Sequence, residues 1–356
     1  MKEKGLGRKV SCLLFLVAAV CYFFSGTPAW AQAESKKIYE LTLGHHMGMS
    51  TPMHTKAFVP FKEDLEKFSN GRIKLTLYPG AALAKPQDAY NQVTKGVMDF
   101  AMFGPVYTPG MFPLCDVVSL PFAIPTAEIG LKVIKELHQK KLLDKELYTG
   151  KGITWAGTTS PYQLFLGKKK VTKMEDLKGL KLRIPGGLLG DAMIKLGATP
   201  ASVPGGEFTT ALERGVVDGG LVSFASGLGY KMQDMCKYVL RANAGVIILA
   251  VTANKNMYEG LPKDLQNAVD RAADNFLLYQ ARGAFDDMDK EALGIFKKAG
   301  IELLELEPAE KERWMKTCEP IYDKWINDLE KKGLPANKLY GEFKKSLEAQ
   351  GIKLPR

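Results

Sequence analysis

The chain has 356 residues, 46% of them hydrophobic, and its 49 Lys and Arg against 39 Asp and Glu give a net charge of +10. That much apolar material exceeds what one core usually organises, so two lobes are expected. Acidic and basic residues are interleaved through most predicted helices, and the densest basic run, Lys168 to Lys170, has no aromatic ladder, which argues against a nucleic-acid partner and for solvated faces with a weak pull on anions.

Lys2, Lys4, Arg8 and Lys9 precede an apolar run over 10–24, and Ala29-Trp30-Ala31 closes the segment. This pattern predicts an export signal over 1–31, cleaved after Ala31, with a run too short to span a bilayer comfortably. Val20 is too large for the residue before a lipidated Cys21. Removing four basic residues and one acidic residue lowers the charge by 3, to +7. The same cut takes Cys12 and Cys21 and leaves Cys115, Cys236 and Cys318, an odd, widely spaced set that reads as buried thiols, the alternative being one long-range disulfide, and not as a disulfide framework or a zinc site. No later segment reaches the ~18 apolar residues of a membrane helix, so the expected location is periplasmic.

Alternation predicts a strand over 37–44, followed by a loop over 45–52 that holds His45, His46, Met47 and Met49. A helix over 55–68 stops at Asn70-Gly71; a strand over 72–78, a helix over 88–95 and a buried strand over 98–103 follow, the last breaking at Gly104-Pro105. Pro113 and Pro121 interrupt 112–122, and helical periodicity returns over 127–140. Strands over 152–158 and 162–166 lead to 176–187, DLKGLKLRIPGG. There Leu180, Leu182 and Ile184 alternate with Lys181 and Arg183 before Pro185-Gly186-Gly187 ends the strand. Arg183 thus stands at a strand end, where a planar, permanently charged fork suits bidentate capture of a carboxylate; the competing reading is a surface ion pair. A helix over 188–196, segments 199–203 and 207–215, and a strand within 216–224 repeat the strand and helix alternation. The run 245–254 reads as a strand buried on both faces, 264–298 as a long helical stretch, and 308–329 and 339–350 as terminal helices. The class is α/β with crossover connections.

His45 and His46 follow the first strand, where open α/β sheets place ligand-binding loops, and either is a candidate hydrogen-bond donor to a ligand. Phe103 and Tyr107 flank the Gly104-Pro105 break as candidate aromatic walls, and Ser223 and Phe224 end the strand after VDG in the same role. No G-x-S-x-G elbow, P-loop or dinucleotide fingerprint occurs, and His45, His46 and His54 lack a recurrent metal-ligand spacing. No catalysis, cofactor or metal is expected.

The segments GRIKLTLYPGAALA (71–84), KGVMDFAMF (95–103), FPLCDVVSLPF (112–122), DLKGLKLRIPGG and ALERGVVDGG (211–220), in this order, resemble the extracytoplasmic solute-binding proteins of TRAP transporters, the DctP family. The resemblance implies a two-lobe periplasmic-binding-protein-like fold with a central ligand cleft, interlobe connecting strands and a long helix. It places lobe I at 36–156 with 246–285 and lobe II at 157–245 with 286–356. It further implies hinge closure on a small-molecule carboxylate held by Arg183, delivery to membrane TRAP permease subunits, and a monomer or homodimer. Two departures bear on the ligand. Many members carry Glu-Asn-Pro after VDG, where this chain has Gly220-Leu221-Val222-Ser223-Phe224, and many carry a second arginine where this chain has Tyr162. Losing a cation and an amide while gaining aromatics points to a monocarboxylate with an aromatic or apolar body, the alternative being a C4-dicarboxylate. The other functional readings are a ligand sensor feeding a membrane receptor and a secreted metalloenzyme.

Overall fold

A computed structural model describes residues 37–147 and 152–354; the predicted export signal lies outside them. Two sheets organise the chain. The first has the order β2-β1-β3-β10-β4, built from Tyr39–Gly44 (β1), Ile73–Tyr78 (β2), Phe100–Phe103 (β3), Gly152–Thr158 (β4) and Ile248–Asn254 (β10). The second has the order β11-β9-β5-β8-β6-β7, from Gln163–Leu166 (β5), Lys181–Arg183 (β6), Thr199–Ala201 (β7), Gly219–Val222 (β8), Tyr238–Leu240 (β9) and Glu302–Leu304 (β11). This is the expected two-lobe α/β architecture.

Local chemistry explains the elements that matter here. In the first lobe β10 lies between β3 and β4, antiparallel to both, and is buried at every position, which is why its sequence is almost continuously apolar. Its one hydroxyl, Thr252, bonds Thr154 of β4 at 2.7 Å, so burial strands no polar group. The helix Val59–Phe68 ends at Asn70 and Gly71, both at positive φ, with Gly71 N–H donating to Glu66 O at 2.8 Å; glycine carries that conformation without a Cβ penalty. In the second lobe, β6 runs parallel to β7 and β8, and a core of Phe165, Phe208, Phe224 and Phe296 fills one side of the sheet.

The chain crosses between lobes along paired strands. The segments joining β4 to β5 and β9 to β10 bond to one another: Thr159 N–H to Ile247 O at 2.9 Å, Tyr162 N–H to Gly245 O at 2.8 Å and Ala244 N–H to Tyr162 O at 2.9 Å. A third crossing is the predicted long helical stretch. It is α-helical over Lys263–Leu278, opens into π-helical turns over Tyr279–Asp286, and resumes as α-helix over Asp287–Lys298. Gln280, fully buried in the π segment, donates to Leu249 O at 3.0 Å. Below it, Asp286 accepts the Ala127 and Glu128 N–H groups at 2.8 and 2.9 Å, capping a first-lobe helix, and Asp289 accepts Ala225 N–H at 2.7 Å, capping a second-lobe helix. Two carboxylates on one crossing helix thereby hold the N-termini of both lobes' helices, an arrangement the macrodipole favours.

The C-terminal helices depart from their expected assignment to the second lobe. Helix Pro308–Glu330 begins there, where Glu310 accepts Met174 N–H at 2.7 Å. It then passes into the first lobe, where Trp325 Nε1 donates to Pro113 O at 3.1 Å and Tyr322, Ile326 and Leu329 join the first core. Helix Ala336–Ala349 packs wholly in that core through Leu339, Phe343 and Leu347. Amphipathic periodicity shows that a helix has an apolar face without showing which lobe receives it. Cys115, Cys236 and Cys318 are free and buried, and burial pushes the Cys236 and Cys318 thiols up to about 12, the inert state expected of structural cysteines.

Candidate functional site

Arg183 ends β6 with a side chain only 3% exposed. Its guanidinium is aimed by backbone: Nε donates to Val203 O at 3.0 Å and one terminal nitrogen to Leu221 O at 2.9 Å. The Phe208 ring lies beneath it, 6.0 Å from centre to centre. No carboxylate pairs with it among the described residues, so a buried cation is held in a fixed plane with donors to spare, an arrangement costly to maintain unless an anion completes it. The surface ion pair that competed with a ligand role does not form.

The neighbours of Arg183 come from both lobes. Tyr107, from the turn Pro105–Tyr107 after β3, brings its hydroxyl within hydrogen-bonding reach of the guanidinium; burial pushes its pKa up to about 12 while Arg183 opposes the shift. Tyr162, from the crossing between β4 and β5, is 5% exposed, and burial raises it well above the ordinary phenol value against the pull of Arg183. Tyr230, at the end of helix Phe224–Gly229, is raised by burial with Arg183 again opposing. His46, just after β1, meets Tyr107 edge-on at 5.4 Å and is pushed down to about 4 by burial and then by the Arg183 charge. Three phenols and an imidazole therefore lie within electrostatic reach of one guanidinium. The lobes meet at the rims: a Cβ on Gly187 would lie 3.3 Å from Val106, and one on Gly229 would lie 3.2 Å from Thr51, so the cleft is closed and the absence of side chains there permits the approach.

The other predicted site residues lie elsewhere. His45 turns into the first lobe, stacked on Phe58 at 4.3 Å with its Nε2 bonded to His54 at 3.1 Å. Phe103 packs between Tyr90 and Phe112, at 5.0 and 5.2 Å, inside the first core. Phe224 packs against Phe165 and Phe296 in the second core, and Ser223 caps the helix that follows, accepting Ser226 N–H at 3.1 Å. The physical reason is shared: an aromatic at a strand end points to cleft or core according to the next turn of chain, and in each case the core offered the larger apolar contact. No sequence motif marks Tyr230; the helix begun by Ser223 carries Phe224 inward and delivers Tyr230, six residues beyond Phe224, to the site.

The family model of the bacterial extracellular solute-binding proteins, family 7 (DctP), matches residues 43–328. The C4-dicarboxylate-binding periplasmic protein DctP of Rhodobacter capsulatus is 29% identical over 291 residues, covering 80% of this chain and 85% of that protein. Among solved structures, a TRAP solute-binding protein from Rhodoferax ferrireducens in complex with copurified benzoate superposes with a TM-score of 0.82 at 22% identity, over 88% of this chain and 98% of that one. A TRAP periplasmic solute-binding protein from Bordetella bronchiseptica with bound (R)- and (S)-mandelate gives 0.80 at 24% identity, over 87% and 99%.

Proposed function

We propose, from the premise that this chain belongs to the bacterial extracellular solute-binding proteins of family 7, the DctP family of TRAP receptors, that it captures an organic monocarboxylate with an aromatic or apolar body. Arg183 binds the carboxylate, the tyrosines enclose the body, and the loaded protein docks on the membrane permease subunits of its transporter after export to the periplasm. The observation that carries this reading is the isolation of the Arg183 charge. Arg183 is only 3% exposed, is held by the Val203 and Leu221 carbonyls, and forms no ion pair among the described residues. One buried cation suits one carboxylate; the second charge of a dicarboxylate would be desolvated among phenols. Closure is stabilised by the contacts that a bridging anion adds to those between the lobes.

The competing ligand class is C4-dicarboxylates, favoured by the name of the Rhodobacter capsulatus relative. A thermal-shift screen of the purified protein against both classes separates them. A ligand at a hundred times its Kd stabilises by ~2.7 kcal/mol, enough to move the melting temperature by several degrees. Aromatic monocarboxylates as a class are expected to give the largest shifts, with succinate and malate close to buffer. The reverse order would assign the site to dicarboxylates.

A further inference from the structure

Both ring nitrogens of His46 are buried without a hydrogen-bond partner. Buried polar atoms are nearly always partnered, so a ring with two orphans beside a closed cleft calls for a partner from outside the chain. Burial first and the Arg183 charge second keep this ring neutral at ordinary pH, which gives it one N–H donor and one bare acceptor nitrogen. The acceptor is the informative half. Arg183 has only donors, and they serve the Val203 and Leu221 carbonyls, the Tyr107 hydroxyl and the anion. A carboxylate or keto oxygen satisfies the His46 N–H, but no phenol of the site bonds the bare nitrogen, which leaves its hydrogen to be supplied by the ligand.

Resting on the reading above, we propose that the ligand carries a hydroxyl besides its carboxylate and donates that hydroxyl to His46. His46 is then the residue that separates hydroxy acids from 2-oxo and unsubstituted acids. An acid without a donor leaves a buried acceptor unpaired when the lobes close. Sites built around a ligand hydroxyl reject the analogue lacking it strongly, and about a hundredfold is a moderate expectation.

Titration calorimetry on the full protein with two matched sets tests this: mandelate, phenylglyoxylate and phenylacetate; then 3-hydroxybenzoate, 3-methoxybenzoate and benzoate. In at least one set the hydroxyl-bearing acid is expected to bind about a hundredfold tighter than both companions. His46→Phe should level that set, and His46→Gln, which retains a donor and an acceptor, should recover most of the preference. Affinities that agree within about threefold in both sets, or a preference that survives in His46→Phe, overturn the hydroxyl inference and leave the monocarboxylate reading standing. If none of the six acids binds the folded wild type, both readings fall. Should His46→Phe not fold, the comparison within the wild type still decides.

Discussion

Arg183→Lys is expected to weaken binding of the best monocarboxylate by at least a hundredfold, and Arg183→Met by more, with both variants still folded. Nε and one terminal nitrogen of Arg183 are committed to Val203 O and Leu221 O; these bonds fix the plane of the fork and leave its remaining edge for the ligand. A lysine ammonium has no such division of labour, since meeting either carbonyl pulls it from the anion and it cannot engage two carboxylate oxygens in one plane. Removing one partner of a buried, hydrogen-bonded ion pair costs about 3–5 kcal/mol, roughly 10²- to 10³-fold or more in affinity. The ligand-free protein has no carboxylate on Arg183 to lose, so the unliganded melting temperature should change far less than the affinity. Calorimetry and thermal melts on the same preparations check both halves.

Gly220→Ala is expected to destabilise the protein by about 1–3 kcal/mol, as overpacking of a closed core does, and to abolish ligand binding. Gly220 on β8 pairs with Arg183 on β6. A Cβ there would sit 2.6 Å from Arg183 O, 2.7 Å from Arg183 Cβ and 2.8 Å from the Phe208 ring. Relief requires moving the strand that aims the guanidinium or the ring beneath it. The control is Gly190→Ala, in helix Gly187–Lys195, where an added Cβ meets nothing within 4 Å; alanine there should hold or raise the melting temperature, because glycine is the poorer helix former. Equal losses in the two variants, read by chemical denaturation, would refute this account of the second glycine of VDGG.

Strand periodicity made much of the fold legible. The run 152–158 is β4 at both ends, and the apolar stretch 245–254 contains the wholly buried β10. The strand placing Arg183 was readable because alternation and the Pro185-Gly186-Gly187 break bracket it closely, and β6 covers Lys181–Arg183. The π-helical turns over Tyr279–Asp286 were not readable, since their sequence keeps the apolar spacing of the helix on either side and Gln280 acquires its reason only from Leu249 O across the lobe crossing. Side-chain direction at strand ends was the other loss. His45 and His46 are adjacent, yet one stacks on Phe58 and the other meets Tyr107; only long-range packing separates them. Tyr162, which the family resemblance sets at an arginine position, has its phenol within electrostatic reach of Arg183. Tyr230 lacked such a marker, because the motif that precedes it sends a different aromatic into the core.

The most direct test of the central claim is a crystal structure of the protein with the acid that gives the largest thermal shift. The account predicts a carboxylate seated on the free edge of Arg183, with its body enclosed by Tyr107, Tyr162 and Tyr230 and the Val203 and Leu221 carbonyls still holding the guanidinium. A carboxylate bound away from Arg183, with those tyrosines untouched, would contradict it.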